Sequence, residues 1–160
     1  MNEDHSQMIE GLYTEMYRNM MAYARAVLGE SLAEEAVQET LRIACQKAEA
    51  LAKSENPRGW LMVTLRNTIN NTRRSQESAR QILTKFLVSQ ISEVSFLEDK
   101  ISLDVMYENV ADLEEYKLLK EMAIDGKSHV EMSRDRGISV VACKKRVQRA
   151  KEVLRNKIGK

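Results

Sequence analysis

Ile9, Leu12, Tyr13, Met16, Tyr17, Met20 and Met21 recur at helical spacing, and the pattern continues through Ala24 and Leu28 until Gly29 breaks it. Spacings of three and four residues place these side chains on one side of a helix, which must then be buried against something else. The rest of the chain offers little to build a sheet from. Aromatic residues make up 5% of it, and Leu, Ala, Met, Glu, Lys and Arg dominate. With six glycines and one proline in 160 residues, few positions can interrupt a helix. The fold class read from this is all-α.

The single proline, together with Gly29, divides the first half. Ser31 is positioned to cap a second helix, with Glu34 three residues on as its capping-box partner. That helix carries Ala33, Ala36, Val37, Leu41, Ala44 and Cys45 toward Leu51. Asn56-Pro57 opens a third helix, since proline suits a first helical turn. Its apolar side holds Trp60, Leu61, Val63, Leu65 and Ile69, and Arg66, Arg73, Arg74 and Arg80 follow. These elements predict a three-helix bundle over 1–85. An acidic, partly helical linker spans 86–107, and a second small helical domain spans 108–160.

A net charge of +1 conceals strong segregation. Residues 1–56 hold five cations against ten carboxylates, and 57–85 hold six against one. Residues 86–125 hold three against ten, and 126–160 hold eleven against three. Two acidic and two basic blocks therefore alternate. The local distribution predicts two sites for a polyanion where the average charge would predict none.

In the last block, Ser128 caps a short helix, Gly137-Ile138-Ser139 makes a turn, and a long helix follows. Helix, glycine-containing turn and basic helix form a helix-turn-helix pattern. Cys143, Val147, Ala150 and Leu154 form the buried stripe of the second helix, with Val130, Met132 and Ile138 as opposing contacts. Lys144, Lys145, Arg146, Gln148, Arg149 and Lys151 fill its other faces. Arginine and glutamine suit base edges, and lysine suits phosphates. A basic helix can equally be a solvated face.

The run Asp125-Gly126-Lys127-Ser128, Gly137-Ile138-Ser139, Ala142-Cys143-Lys144-Lys145-Arg146 and Arg149-Ala150 resembles region 4 of bacterial sigma factors. More narrowly, it is similar to the extracytoplasmic-function (ECF) branch of the sigma-70 family. Ala33-Glu34-Glu35-Ala36-Val37-Gln38-Glu39 resembles the core-binding part of region 2. Asn56-Pro57-Arg58-Gly59-Trp60-Leu61, with Arg66-Asn67 and Arg73-Arg74, resembles its promoter-melting part. The likeness covers about 8–80 and 108–158, in the family's order.

The resemblance implies a sigma factor that is not an enzyme and needs no cofactor. Its partners would be RNA polymerase core and promoter DNA, with an anti-sigma factor as a further candidate. Glu35, Gln38 and Glu39 would meet the polymerase. Arg58, Arg66, Asn67, Asn70, Asn71, Arg73 and Arg74 would recognise and melt the downstream promoter element. Ser139, Ala142, Lys144, Lys145, Arg146 and Arg149 would read the upstream one. The chain departs from the family at Leu41 and Ala44-Cys45, where an aromatic is common. It also departs at Asn71, where Asp is frequent, and at Ala142-Cys143, where Thr-Val is usual.

Two other readings use the same residues: a stand-alone helix-turn-helix regulator of sigma-like fold, and a protein-interaction module with a basic helix. His5 and His129 lack neighbours at ligand spacing, so no metal site is expected. Cys143 reads as a small buried hydrophobe and Trp60 as a core anchor, or as a surface beside melted DNA. Two separated cysteines, no membrane-length apolar run and a polar start predict a soluble, cytoplasmic protein without membrane insertion.

Overall fold

The computed structural model describes residues 2–95, 110 and 112–158. All regular elements among them are helices: α1 (Glu3–Leu28), α2 (Glu30–Gln46), α3 (Ala48–Lys53), α4 (Pro57–Ser95), α5 (Glu114–Ala123), α6 (His129–Arg136) and α7 (Val140–Ile158). None of them is long and apolar enough to cross a membrane. The chain forms two compact units, 1–74 and 75–160.

In the first unit, α1 buries Ile9, Met16, Met20, Met21 and Ala24 of the stripe expected from its spacing, while Leu12, Tyr17 and Leu28 pack partly buried against the same core. Asn2 caps it, its Oδ1 accepting from the His5 amide at 2.7 Å. Gly29 alone separates α1 from α2, and at φ 83° it holds a conformation that a side chain would resist. Its amide donates to the Arg25 carbonyl, and its carbonyl accepts from the Ala33 amide, so one residue closes one helix and opens the next. That is why α2 starts at Glu30, ahead of the Ser31 cap expected from the sequence. The second predicted helix is also divided at Lys47, where φ −109° and ψ 33° break the ladder and leave α3 as a separate turn and a half. Leu61, Leu65 and Ile69 of α4 complete this core with Ala33, Ala36, Val37, Ala44 and Leu51. Trp60 is partly buried against the same cluster.

α4 continues well beyond this core. Ala79, Ile82, Leu83 and Phe86 recur at helical spacing and are buried with Tyr116, Leu119, Met132, Cys143, Val147, Ala150 and Leu154. The second unit therefore takes its own core wall from α4, upstream of the residue-108 boundary read from sequence. Of the stretch read as an acidic linker, residues 86–95 are helical, and 96–107 lie outside the described residues. Gln76 Nε2 and Arg80 Nη2 donate to the Met122 and Ala123 carbonyls at 3.4 and 3.2 Å, occupying acceptors at the end of α5.

Ser128 caps α6, its Oγ accepting from the Glu131 amide at 3.1 Å. Gly137 ends α6 at φ 64°, and the Ile138 amide reaches back to the Ser133 carbonyl at 3.0 Å. Ser139 Oγ then accepts from the Ala142 amide at 3.0 Å and starts α7. Met132 is fully buried and Ile138 packs on the core, as expected, but Val130 is exposed on the outer side of α6.

Candidate nucleic-acid interface

The start of α4 is set by a cap and a close approach. Asn56 Oδ1 accepts from the Gly59 amide at 3.1 Å, and a Cβ at position 59 would lie 2.5 Å from Asn56 Nδ2. Only glycine leaves room for the capping amide. Thr64, Thr68 and Thr72 then follow one turn apart. Each hydroxyl donates to the carbonyl four residues back, at 2.9, 3.0 and 3.1 Å, so these side chains carry no unmet polar demand.

Arg66, Asn67, Asn70, Asn71, Arg73 and Arg74 are all exposed. Their spacings of three, four and seven residues gather them on one side of α4, across the helix from Leu61, Leu65 and Ile69. Arg74 Nη2 donates to Asn71 Oδ1 at 2.6 Å and fixes both side chains on that face. Arg58 stands apart from the group. Its guanidinium pairs with Glu15 of α1, joining the two helices. Next to the exposed face, Lys47, Asn56, Trp60, Val63 and Thr64 border an open hollow of about 580 Å³. Val63 connects the two, being exposed one turn before Arg66 and Asn67.

On α2, Gln38 is exposed while Glu35 and Glu39 are half-buried, and the three share one side of the helix. Glu39 is engaged by Arg42, which donates through Nε at 2.8 Å and Nη2 at 2.5 Å. That face therefore carries a cation beside its carboxylates, which the sequence pattern alone did not single out.

On α7 the stripe of Cys143, Val147, Ala150 and Leu154 is buried as expected. Ser139, Lys144, Lys145, Arg146, Gln148 and Arg149 are exposed and Ala142 is half-buried. Lys151 belongs with the core instead of the free faces. It is 6% exposed, and its Nζ donates to the Ser75 carbonyl at 3.3 Å and to Ser75 Oγ at 3.1 Å. Arg155 reaches Ser78 Oγ at 3.4 Å. The sequence could not separate these two cations from their neighbours, because their partners lie 76 and 77 residues away.

A second group of charges fixes α6 against α5. Arg136 donates to Glu114 at 3.0 Å and to Glu121, and Lys127 bridges Glu121 and Asp135 at 3.1 and 3.0 Å. Arg136 and Glu121 side chains are 16% and 19% exposed, so this network is partly withdrawn from water. The pair is structural and supports the turn that precedes α7. Among the described residues, no cluster of His, Cys, Asp or Glu could hold a metal ion.

The class these features define is an all-helical protein in which each of two compact units exposes a row of cationic and amide side chains on one anchored helix. Residues 12–79 match the family model for Sigma-70 region 2. The matched span includes the Glu35–Glu39 face and the whole Arg66–Arg74 face. Neither a curated protein nor a solved structure matched the chain significantly.

Proposed function

We propose that this chain is an ECF-type sigma factor that binds RNA polymerase core and directs initiation at specific promoters. The observation that carries the reading is the Arg66–Arg74 face. Three arginines and three asparagines share one exposed side of α4, inside the residues that match Sigma-70 region 2. A melted strand needs cations for its phosphates and hydrogen-bonding or stacking surfaces for its bases. Arg66, Arg73 and Arg74 supply the first. Asn67, Asn70 and Asn71 supply the second, with the hollow beside Trp60 bordering the same face. Arg58 contributes by holding α4 to α1 through Glu15.

Through α6, Gly137–Ser139 and α7, the second unit acts as a helix-turn-helix. Lys144, Lys145, Arg146 and Arg149 enter the major groove of the upstream element, with Ser139 and Ala142 at the helix start. Lysines take phosphates and arginines base edges. Glu35, Gln38 and Glu39 on α2 meet a basic surface of the polymerase, which requires Arg42 to release or share Glu39. Arg42 is exposed and solvent screens the pair, so the exchange costs little.

Run-off transcription with purified polymerase core and the promoter of the chain's own operon tests this. The expected result is a discrete transcript that requires the chain. Glu35→Lys with Glu39→Lys should weaken core binding by roughly tenfold, the scale of 1.4 kcal/mol. Arg73→Ala with Arg74→Ala should keep core binding and lose strand opening, read by permanganate reactivity of unpaired thymines. Undetectable core binding by the unaltered chain overturns the proposal.

A further inference from the structure

We infer that Val141 is a specificity-determining residue that packs against the C5-methyl group of a thymine in the major groove; this rests on the reading of α7 as the groove-facing helix. Val141 is 63% exposed, in the first turn of α7. It stands at i, i+4 and i+7 with Lys145 and Gln148, both exposed, on the side opposite the buried Cys143, Val147 and Ala150. A β-branched apolar side chain gains nothing there for the fold: it touches no core and is a poorer helix former than alanine.

Its neighbours define what it meets. Lys144 and Lys145 follow one turn on, and Arg149 one turn further, so the surface around Val141 attracts a polyanion and repels a basic protein face. Glu152, exposed one turn beyond Gln148 on the same side, marks where that surface stops. On duplex DNA the one apolar group offered in the major groove is the thymine methyl, which apolar side chains contact directly. 5-Methylcytosine offers the same group, but synthetic DNA lacks it, so the experiment below reads thymine.

The full chain, with polymerase core, selects its preferred duplexes from a random synthetic pool. Each thymine of the selected site is then replaced by deoxyuridine, which removes only the methyl. For the unaltered chain, one position should lose affinity by about fourfold, the scale of one buried methyl. In Val141→Ala that penalty should fall to the level of the other positions, because the shorter side chain no longer reaches. Lys145→Ala should weaken binding throughout yet retain the penalty. A selected site with a flat deoxyuridine scan, or a penalty that Val141→Ala retains, overturns the inference and leaves DNA recognition by α7 standing. If no duplex is selected even at low salt, both fall together.

Discussion

Burial holds the Lys151 ammonium below the ordinary lysine range, and the Arg155 guanidinium adds repulsion. Between its lowered folded value and the ordinary one the unfolded chain binds the extra proton, so stability of the second unit rises with pH in that interval. Lys151→Met removes the desolvated cation and keeps the volume. At neutral pH its thermal midpoint should equal or exceed that of the unaltered chain, and the gap should narrow on approaching the ordinary lysine range. DNA affinity should change far less than in Lys145→Ala, whose charge is exposed. A midpoint well below the parent's would mean that the Ser75 hydrogen bonds outweigh the desolvation. Glu121 shares that slope, but there the charged form is stabilised rather than penalised. Burial pushes its carboxyl up, but hydrogen bonds from Arg136 and Lys127 outweigh this and hold it below its ordinary value of 4.5. The unfolded chain takes up the proton first as pH falls, so this stabilisation is complete above 4.5 and is lost as pH passes through the lower folded value. Glu121→Gln should cost about 2 kcal/mol at pH 7, the scale of hydrogen bonds to a charged group. Urea titrations at pH 7 and pH 3 should show that deficit shrinking at the acidic end.

Helix beginnings and ends were the most legible elements, because their chemistry is local. Pro57, Ser128, Gly137 and Ser139 each occupy the position that a turn or cap requires, and the stripes of α1 and α7 bury the residues their spacing picked out. What stayed hidden depends on partners distant in the chain. Ala79, Ile82, Leu83 and Phe86 form an ordinary helical stripe, and nothing within those residues says that α5 and α7 will cover it. Val130 failed for a related reason: in a helix as short as α6, Met132 and Ser133 face the core and Val130 turns outward. Of the candidate site, the Arg66–Arg74 face could be read as a helical side, whereas the diversion of Arg58 to Glu15 and of Lys151 to Ser75 could not. The cap of α4 gives a test at this scale. Gly59→Ala places a Cβ against Asn56 and should cost the first unit about 1 kcal/mol, the value of an N-cap. Asn56→Ala in the same background should add almost nothing, since both changes remove one hydrogen bond. Independent, additive losses in the double variant would show that the cap is not what Gly59 protects.

Each of the two compact units carries a cationic face, and the acidic blocks that alternate with the basic ones hold the net charge to +1. The two cores are separate, each closed by its own part of α4, and each unit is expected to fold on its own. The sharpest consequence concerns where the second unit begins. Phe86 is 1% exposed among Tyr116, Leu119 and Leu154, so Phe86→Ala should open a cavity costing about 3–5 kcal/mol. A fragment of residues 75–160 keeps this wall, the Ser75 acceptors of Lys151 and the Gln76 and Arg80 donors to α5. It should unfold cooperatively and bind DNA with a steep salt dependence, because phosphate contacts release counterions. A fragment of residues 108–160 has the helix-turn-helix residues but exposes the face that Ala79, Ile82, Leu83 and Phe86 cover. Its circular dichroism should show weak, non-cooperative helicity, and its affinity for DNA should be correspondingly reduced. A cooperative transition in the shorter fragment, with an unchanged midpoint, would show that α4 is only a neighbour of the second unit and not part of its core.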